Sequence, residues 1–108
     1  MNTVTAHELQ RLKGDNPNIP IVNTLSREDF RNKHIPDSFN IPVSSEDFAD
    51  RVEETVSRKS DPVVVYCAGQ ECDASETAAK KLKNAGFKTV FDFEGGMQAW
   101  EDAGLPIA

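Results

Sequence analysis

The four residues from Val63 to Tyr66 form a continuous apolar run between Pro62 and Cys67. A short run rich in β-branched residues and bounded by turn residues predicts a β-strand that is covered on both faces. Strands of this kind are typical of the centre of a parallel sheet, where helices pack on either side. The run therefore predicts an α/β domain more strongly than any other feature of the chain.

Helical and strand patterns alternate through the rest of the chain. Thr5 and Glu8 have the spacing of a capping box, Ser26 can begin a short helical turn, and Gly86 has the position that follows a helix. Ser44 or Ser45 is expected to cap a helix. The alternation predicts one three-layer α/β domain over residues 1–108 with a mainly parallel sheet. Helices are expected near 6–13, from the serine cap to the break at Lys59-Ser60-Asp61-Pro62, at 74–85 and at 97–103, and strands at 19–24, 38–42, 63–66 and 89–93.

The charge balance disfavours nucleic acid as a partner. Twelve Lys and Arg residues stand against eighteen Asp and Glu, which gives a net charge of −6, and the longest basic block is Lys80-Lys81. Binding to a phosphate backbone needs a basic surface. The sequence from Met1 to Glu8 lacks the basic and apolar regions of a signal peptide, and no apolar run is long enough to cross a bilayer. We expect a cytoplasmic protein that does not bind membranes.

Cys67 ends the predicted central strand, where sites form in parallel α/β sheets. The loop that follows could curl with its backbone amides pointing inward at the N-terminus of the next helix. Such amides would lower the pKa of the Cys67 thiol and favour the nucleophilic thiolate. The candidate site is therefore Cys67 and the loop made up of Ala68, Gly69, Gln70, Glu71, Cys72 and Asp73.

Two other interpretations of the cysteines remain open. An unpaired cysteine at the end of a strand is equally typical of simple core packing. A zinc site is disfavoured because Cys67 and Cys72 supply only two ligands, and neither His7 nor His34 lies at a recognisable spacing from them. A disulfide closing so short a loop would add little stability in a reducing cytosol. We therefore predict two thiols, with no metal and no cofactor.

Three segments of the chain resemble the rhodanese-like sulfurtransferase family. They are Lys33 to Pro42, Val63 to Cys67, and Glu94 to Trp100 continued by Gly104 to Pro106. They follow the family's order, and the likeness covers nearly the whole chain. The resemblance implies a five-stranded parallel sheet flanked by helices, with Cys67 in the family's active-site position.

The resemblance also implies a reaction. In that family a cysteine thiolate takes the outer sulfur of a donor such as thiosulfate, holds it as a persulfide, and passes it to a thiol or cyanide acceptor. Cys67 would be the sulfur carrier here, and the amides of Ala68 through Asp73 would stabilise the terminal sulfur without a general base. The expected partners are a small sulfur donor or a persulfide-bearing protein, and a thiol acceptor. No oligomeric state is predicted.

The loop departs from the family's pattern in length and charge. It is about two residues longer than usual and carries Glu71 and Asp73. These carboxylates predict a neutral or protein-bound persulfide donor in preference to anionic thiosulfate. Related phosphatases have an arginine six residues after the cysteine, and Asp73 occupies that position, so phosphatase activity is not expected.

Other positions suggest a second function. Cys72 could resolve a persulfide or sulfenate on Cys67 by forming a reversible disulfide, although it could equally pack the loop. Asn23, Leu25 and Lys33 replace an Asp, an Arg and a Gly that are common in the family. The acidic loop and the changes at Asn23 and Leu25 favour the alternative of a non-catalytic rhodanese-like module that binds a partner protein or senses redox state.

Three further motifs are expected to be structural. His34 should hydrogen-bond to nearby backbone, Phe93 and Trp100 should lie in the core, and Gly95-Gly96 should form a tight strand-to-helix turn.

Overall fold

The apolar run from Val63 to Tyr66 lies inside a five-stranded parallel sheet in a computed structural model that describes residues 2–56 and 58–108. The strands are β1 (Asn2–Thr3), β2 (Ile21–Asn23), β3 (Phe39–Asn40), β4 (Val63–Tyr66) and β5 (Val90–Phe93). The helices are α1 (Ala6–Asp15), α2 (Arg27–Asn32), α3 (Phe48–Thr55), α4 (Ala74–Asn84) and α5 (Gly96–Asp102). Within the two described ranges, no helix has the length and apolar character needed to cross a membrane.

The strand order β1-β5-β4-β2-β3 confirms that β4 is an interior strand and that β3 is an edge strand. Val65 of β4 pairs with Val22 of β2 and with Asp92 of β5. One hydrophobic cluster joins the sheet to α3 and α4, and another joins it to α1 and α5. Because helices cover both faces, all four residues of β4 are buried, as the sequence predicted.

Several helix ends agree with the sequence. Thr5 and Glu8 form the capping box of α1, and the Ser26 side chain accepts a hydrogen bond from the backbone of Asp29 at the start of α2. Gly86 follows the Ala85 cap of α4 with a φ of +99°, a left-handed conformation that glycine adopts without strain.

Three elements differ from the prediction. β1 was not predicted, because a two-residue strand is too short to have a recognisable pattern. The prediction that Ser44 or Ser45 caps α3 was wrong: the helix begins at Phe48, and the Ser45 hydroxyl instead accepts a hydrogen bond from Arg51 at 3.2 Å. In α4, helical spacing predicts an inner face of Ala74, Ala78, Ala79, Leu82 and Ala85, but Ala74 and Ala85 are only partly buried, and Ser75 is buried instead.

The structural roles expected of His34, Phe93 and Trp100 are confirmed. His34 Nδ1 lies 2.8 Å from the carbonyl oxygen of Phe30, and the two rings stack with their centroids 3.9 Å apart. Phe93 and Trp100 are buried, and the Trp100 indole donates a hydrogen bond to the carbonyl of Pro106. The backbones of Ala108 and His34 also exchange hydrogen bonds. Pro106 and Ala108 are therefore both held against the rest of the fold.

Candidate active site

Cys67 follows β4 directly and is completely buried, with 0% of its surface exposed. Its Sγ lies 3.4 Å from the carbonyl oxygen of Cys72 and 3.9 Å from that of Gly69, and the thiol donates to both. Carbonyl oxygens accept a hydrogen bond from a thiol but repel a thiolate. The loop therefore surrounds Cys67 in a way that suits the protonated sulfur.

The N-terminus of α5 fixes the start of this loop. The amides of Met97 and Gln98 donate to the carbonyls of Cys67 and Ala68, each at 2.9 Å. This approach depends on Gly96, which has a φ of +58°, and a Cβ built there would lie 2.3 Å from the Cys67 carbonyl oxygen. The Gly95-Gly96 turn is thus confirmed as the tight connection between β5 and α5, and it also holds the Cys67 backbone in place.

The expectation that the loop lowers the pKa of Cys67 was wrong. Burial raises the pKa of this thiol, and the neighbouring Cys72 side chain raises it further. The backbone amide and the hydroxyl of Ser75 lower it, but by less. Desolvation dominates because the sulfur is completely enclosed. The carbonyls of Gly69 and Cys72 that point at it also favour the thiol over the thiolate.

Cys72 is half-buried and lines a cavity of about 730 Å³ beside the loop. Cys67 and Asp73 are not among the lining residues, and Asp73 instead precedes α4 as an exposed N-cap without a side-chain hydrogen bond. Cys72 therefore contacts both the cavity and Cys67. The remaining lining residues come from the loop, from the Gly95 cap and from along α5: Ala68, Gly69, Gln70, Glu71, Gly95, Gln98, Ala99 and Asp102.

Ser75 and Asp92 lie beside this site and were missed by the sequence reasoning. Ser75, in the first turn of α4, is 2% exposed, and Asp92 in β5 is 0% exposed. Neither carboxyl oxygen of Asp92 has a hydrogen-bond partner of normal geometry among the described residues. The available signal was an acidic residue between the apolar neighbours Phe91 and Phe93, in a strand that the sequence already predicted.

Burial raises the pKa of Asp92 above the usual aspartate value. The Ser75 hydroxyl lowers this pKa, and the carboxylates of Glu94 and Glu76 raise it. Asp92 thus differs from the exposed carboxylates of the loop, because it is held where its charged form is disfavoured.

Asp92→Asn is expected to change how stability depends on pH. The carboxyl of Asp92 ionises at a lower pH in the unfolded chain than in the fold, so the native protein loses stability as pH rises from the unfolded pKa of Asp92 to its folded pKa. The asparagine variant should not show this loss of stability. In the parent protein the loss is about 1.4 kcal/mol for each pH unit between the unfolded and the folded pKa of Asp92. Urea unfolding at several pH values measures it, and a stability difference between the proteins that stays constant with pH would contradict the prediction.

The residues that depart from the family's pattern form scaffold contacts. Asn23 is buried at the end of β2, and its Oδ1 accepts a hydrogen bond from the amide of Leu25 at 2.9 Å. The Asn40 side chain donates to the carbonyls of both residues and so joins β3 to the end of β2. Lys33 forms an ion pair with Glu101 of α5.

No group of three or more His, Cys, Asp or Glu side chains is arranged to hold a metal ion in the part of the chain that the structure describes. Cys67 and Cys72 are both free thiols. The arrangement thus offers sulfur chemistry at a buried cysteine beside an open cavity.

A family model and a solved structure of a related protein agree on the family that this chain resembles. The family model described as Rhodanese-like domain matches residues 5–103. The crystal structure of the Alr3790 protein from Anabaena superposes with a TM-score of 0.84 at 32% identity, covering 97% of this chain and 90% of that one.

Two curated relatives add to this result. The chain is 32% identical over 80 residues to GlpE of Pseudomonas syringae, named a thiosulfate sulfurtransferase, covering 74% of this chain and 70% of GlpE. It is 29% identical over 104 residues to the Synechocystis protein slr1261, covering 96% of this chain. The chain spans only 54% of slr1261, about half the length of that relative.

Proposed function

The chain belongs to the rhodanese-like domain family, and we propose that it is a sulfurtransferase that carries sulfane sulfur as a persulfide on Cys67. The observation that carries the proposal is the position of Cys67, which ends the interior strand β4 and has its carbonyl held by the first amides of α5. The cavity beside the loop gives room for a donor. The likeness to GlpE supports the same reaction class.

The reaction has two steps. The Cys67 thiolate attacks the outer sulfur of the donor, an S–S bond forms, and the donor's remainder leaves with the electron pair of the broken bond. An acceptor thiolate then attacks the terminal sulfur, takes it as a new persulfide, and releases the Cys67 thiolate. The sulfane sulfur keeps its oxidation state throughout, so no external oxidant or reductant is needed.

The charge of the cavity favours one class of donor. Glu71 and Asp102 both line it, and the Asp102 carboxylate accepts a hydrogen bond from Gln98 at 2.9 Å. Two carboxylates at this position would repel doubly charged thiosulfate. We therefore propose that the donor is a small neutral persulfide or a persulfide on a protein, and that the acceptor is a thiol.

Mass spectrometry of the Cys67 peptide tests the proposal. After incubation with a low-molecular-weight persulfide, the peptide is expected to gain about 32 Da, the mass of one sulfur atom. Thiosulfate should give the same product more slowly, and Glu71→Gln should speed the thiosulfate reaction about threefold or more, because one repulsive charge is removed. No gain with either donor would overturn the sulfurtransferase proposal, and a strong preference for thiosulfate would overturn the choice of donor.

A second candidate function is a redox-responsive module, favoured by the contact between the two cysteines. The Cys67 thiol donates to the Cys72 carbonyl, and the Cys72 side chain is close enough to raise the pKa of Cys67. The Cys72 thiolate would attack the inner sulfur of a Cys67 persulfide, form the Cys67–Cys72 disulfide and release hydrosulfide, so the sulfane sulfur is reduced as the two thiols are oxidised. An external dithiol would then restore both thiols.

A further inference from the structure

The buried thiol of Cys67 leaves a proton to be accounted for. Attack on a donor requires the thiolate, yet the sulfur is enclosed and donates its hydrogen to two carbonyls. The sequence predicted that amides alone would supply the thiolate, and the structure does not have that arrangement. A group next to Cys67 that can take the proton would resolve this difficulty, and this inference rests on the sulfur-carrier function proposed above.

Ser75 connects Cys67 to a carboxyl group. It is buried in the first turn of α4, which begins directly after the loop, and its amide and hydroxyl both lower the pKa of the Cys67 thiol. The same hydroxyl lowers the pKa of Asp92, although no hydrogen bond of normal geometry joins the two groups. Asp92 pairs with Val65, two residues before Cys67 on the adjacent strand, so side-chain alternation directs Asp92 and Cys67 to the same face of the sheet.

Asp92 has the features of a group kept for this purpose. It is fully buried, and both of its oxygens lack hydrogen-bond partners of normal geometry among the described residues. A buried carboxyl without partners destabilises the fold. A fold would gain stability from an apolar residue at this position. The unpartnered oxygens are free to accept a proton.

We propose that Asp92 is the base that takes the proton of Cys67, with the Ser75 hydroxyl as the relay between them. As the donor arrives, the Ser75 hydroxyl accepts the thiol proton and passes its own to the Asp92 carboxylate, leaving a thiolate and a neutral acid. When an acceptor thiolate removes the sulfur, the released Cys67 thiolate recovers a proton along the same path. No atom or electron is gained or lost over the cycle.

The surroundings of Asp92 raise the pKa of its carboxyl and so make it a stronger base for deprotonating Cys67. A base works best when its pKa lies near the working pH, and burial raises the pKa of Asp92 in that direction. The charged groups that face it are Glu94, after β5, and Glu76 on α4, and both raise its pKa. The Glu76 carboxylate is paired with the Lys80 ammonium at 3.1 Å. On the neighbouring strands, Cys67 follows β4 directly, and β1 contains no ionisable side chain.

Two measurements on Asp92→Asn separate a base from a nearby charge. In a Cys72→Ser background, where Cys67 is the sole thiol, ultraviolet absorbance measures the thiolate fraction against pH, and mass spectrometry measures the rate of sulfur acceptance from a persulfide. We expect the rate at neutral pH to fall about tenfold or more, while the thiolate titration stays in place or moves to lower pH because a like charge is gone. At a pH where the thiolate dominates, the variant and the parent should react equally fast, because no base is then needed.

Matched variants complete the test. Glu54→Gln removes an exposed carboxylate of α3 that is not among the charged groups facing Asp92, and it should leave the neutral-pH rate within about twofold. Ser75→Ala should slow the reaction as Asp92→Asn does, and it keeps the test decisive if the Asp92 variant does not fold. A neutral-pH rate that stays unchanged in either variant, or that rises together with the thiolate fraction in Asp92→Asn, would overturn the proposal.

The proposal that Asp92 is the base can also be tested independently of the sulfurtransferase proposal. Alkylation of Cys67 by iodoacetamide requires the same deprotonation but no sulfur transfer. If the parent protein takes no sulfur from any donor, the proposed function is wrong, while alkylation rates that are slowed near neutral pH in both variants still support Asp92 as the base. Alkylation rates unaffected by both variants would overturn it.

Discussion

Cys67→Ser is expected to lower the rate of sulfur transfer from a persulfide to a thiol by about 10³-fold or more, to near the rate without protein. Serine keeps the size of the side chain, but its hydroxyl forms no stable bond to sulfane sulfur and remains protonated at neutral pH. Loss of the nucleophile in other enzymes has effects of at least this order. The measurement is the rate of persulfide formation on a defined thiol acceptor.

Cys72→Ser is the matched control, because it changes the other thiol of the same loop. It should keep the transfer rate within about threefold, since Cys72 contacts Cys67 but is not the proposed carrier. If Cys72 acts as a resolving thiol, this variant should also lose hydrosulfide release and the Cys67–Cys72 disulfide. Undiminished transfer by Cys67→Ser would contradict the proposed mechanism and favour a non-catalytic module.

Gly96→Ala is expected to have the largest effect on stability, lowering the free energy of unfolding by about 3 kcal/mol or more. The added Cβ would lie 2.3 Å from the Cys67 carbonyl oxygen, which is backbone and has little freedom to move, and the residue has a φ of +58°. Relief of the clash must separate α5 from the loop and break the hydrogen bonds to Cys67 and Ala68. Urea unfolding measures the loss, and sulfur acceptance should fall with it.

Gly104→Ala is the control that separates backbone strain at a positive φ from the steric clash with the Cys67 carbonyl. Gly104 has a φ of +72°, so alanine is strained there as well, but no heavy atom lies within 4 Å of the added Cβ. We expect a loss of about 1 kcal/mol and unchanged sulfur chemistry. Equal losses for the two variants would show that the contact with Cys67 is not what requires glycine at position 96.

Much of the fold follows from local patterns. The apolar run of β4 required helices on both faces, and the capping box at Thr5 and the glycine at position 86 marked helix ends correctly. β1 was not predicted because its two residues become a strand by pairing with β5, which lies at the far end of the chain and leaves no signal in the local sequence. The start of α3 was misplaced because Ser45 has its hydrogen bond with Arg51 rather than with a helix amide.

The sequence by itself determined the position of Cys67 at the end of an interior strand, because apolar patterning and strand order depend on which residues must be buried. Only the tertiary structure decided the state of that thiol. The loop folds back so that the carbonyls of Gly69 and Cys72 enclose the sulfur, and the packing of α4 and β5 against the end of β4 brings in Ser75 and Asp92. None of this can be read from residue spacing alone. A pKa reports the solvation and neighbours of a group in three dimensions, so a sequence pattern that predicted a lowered value was overturned by burial.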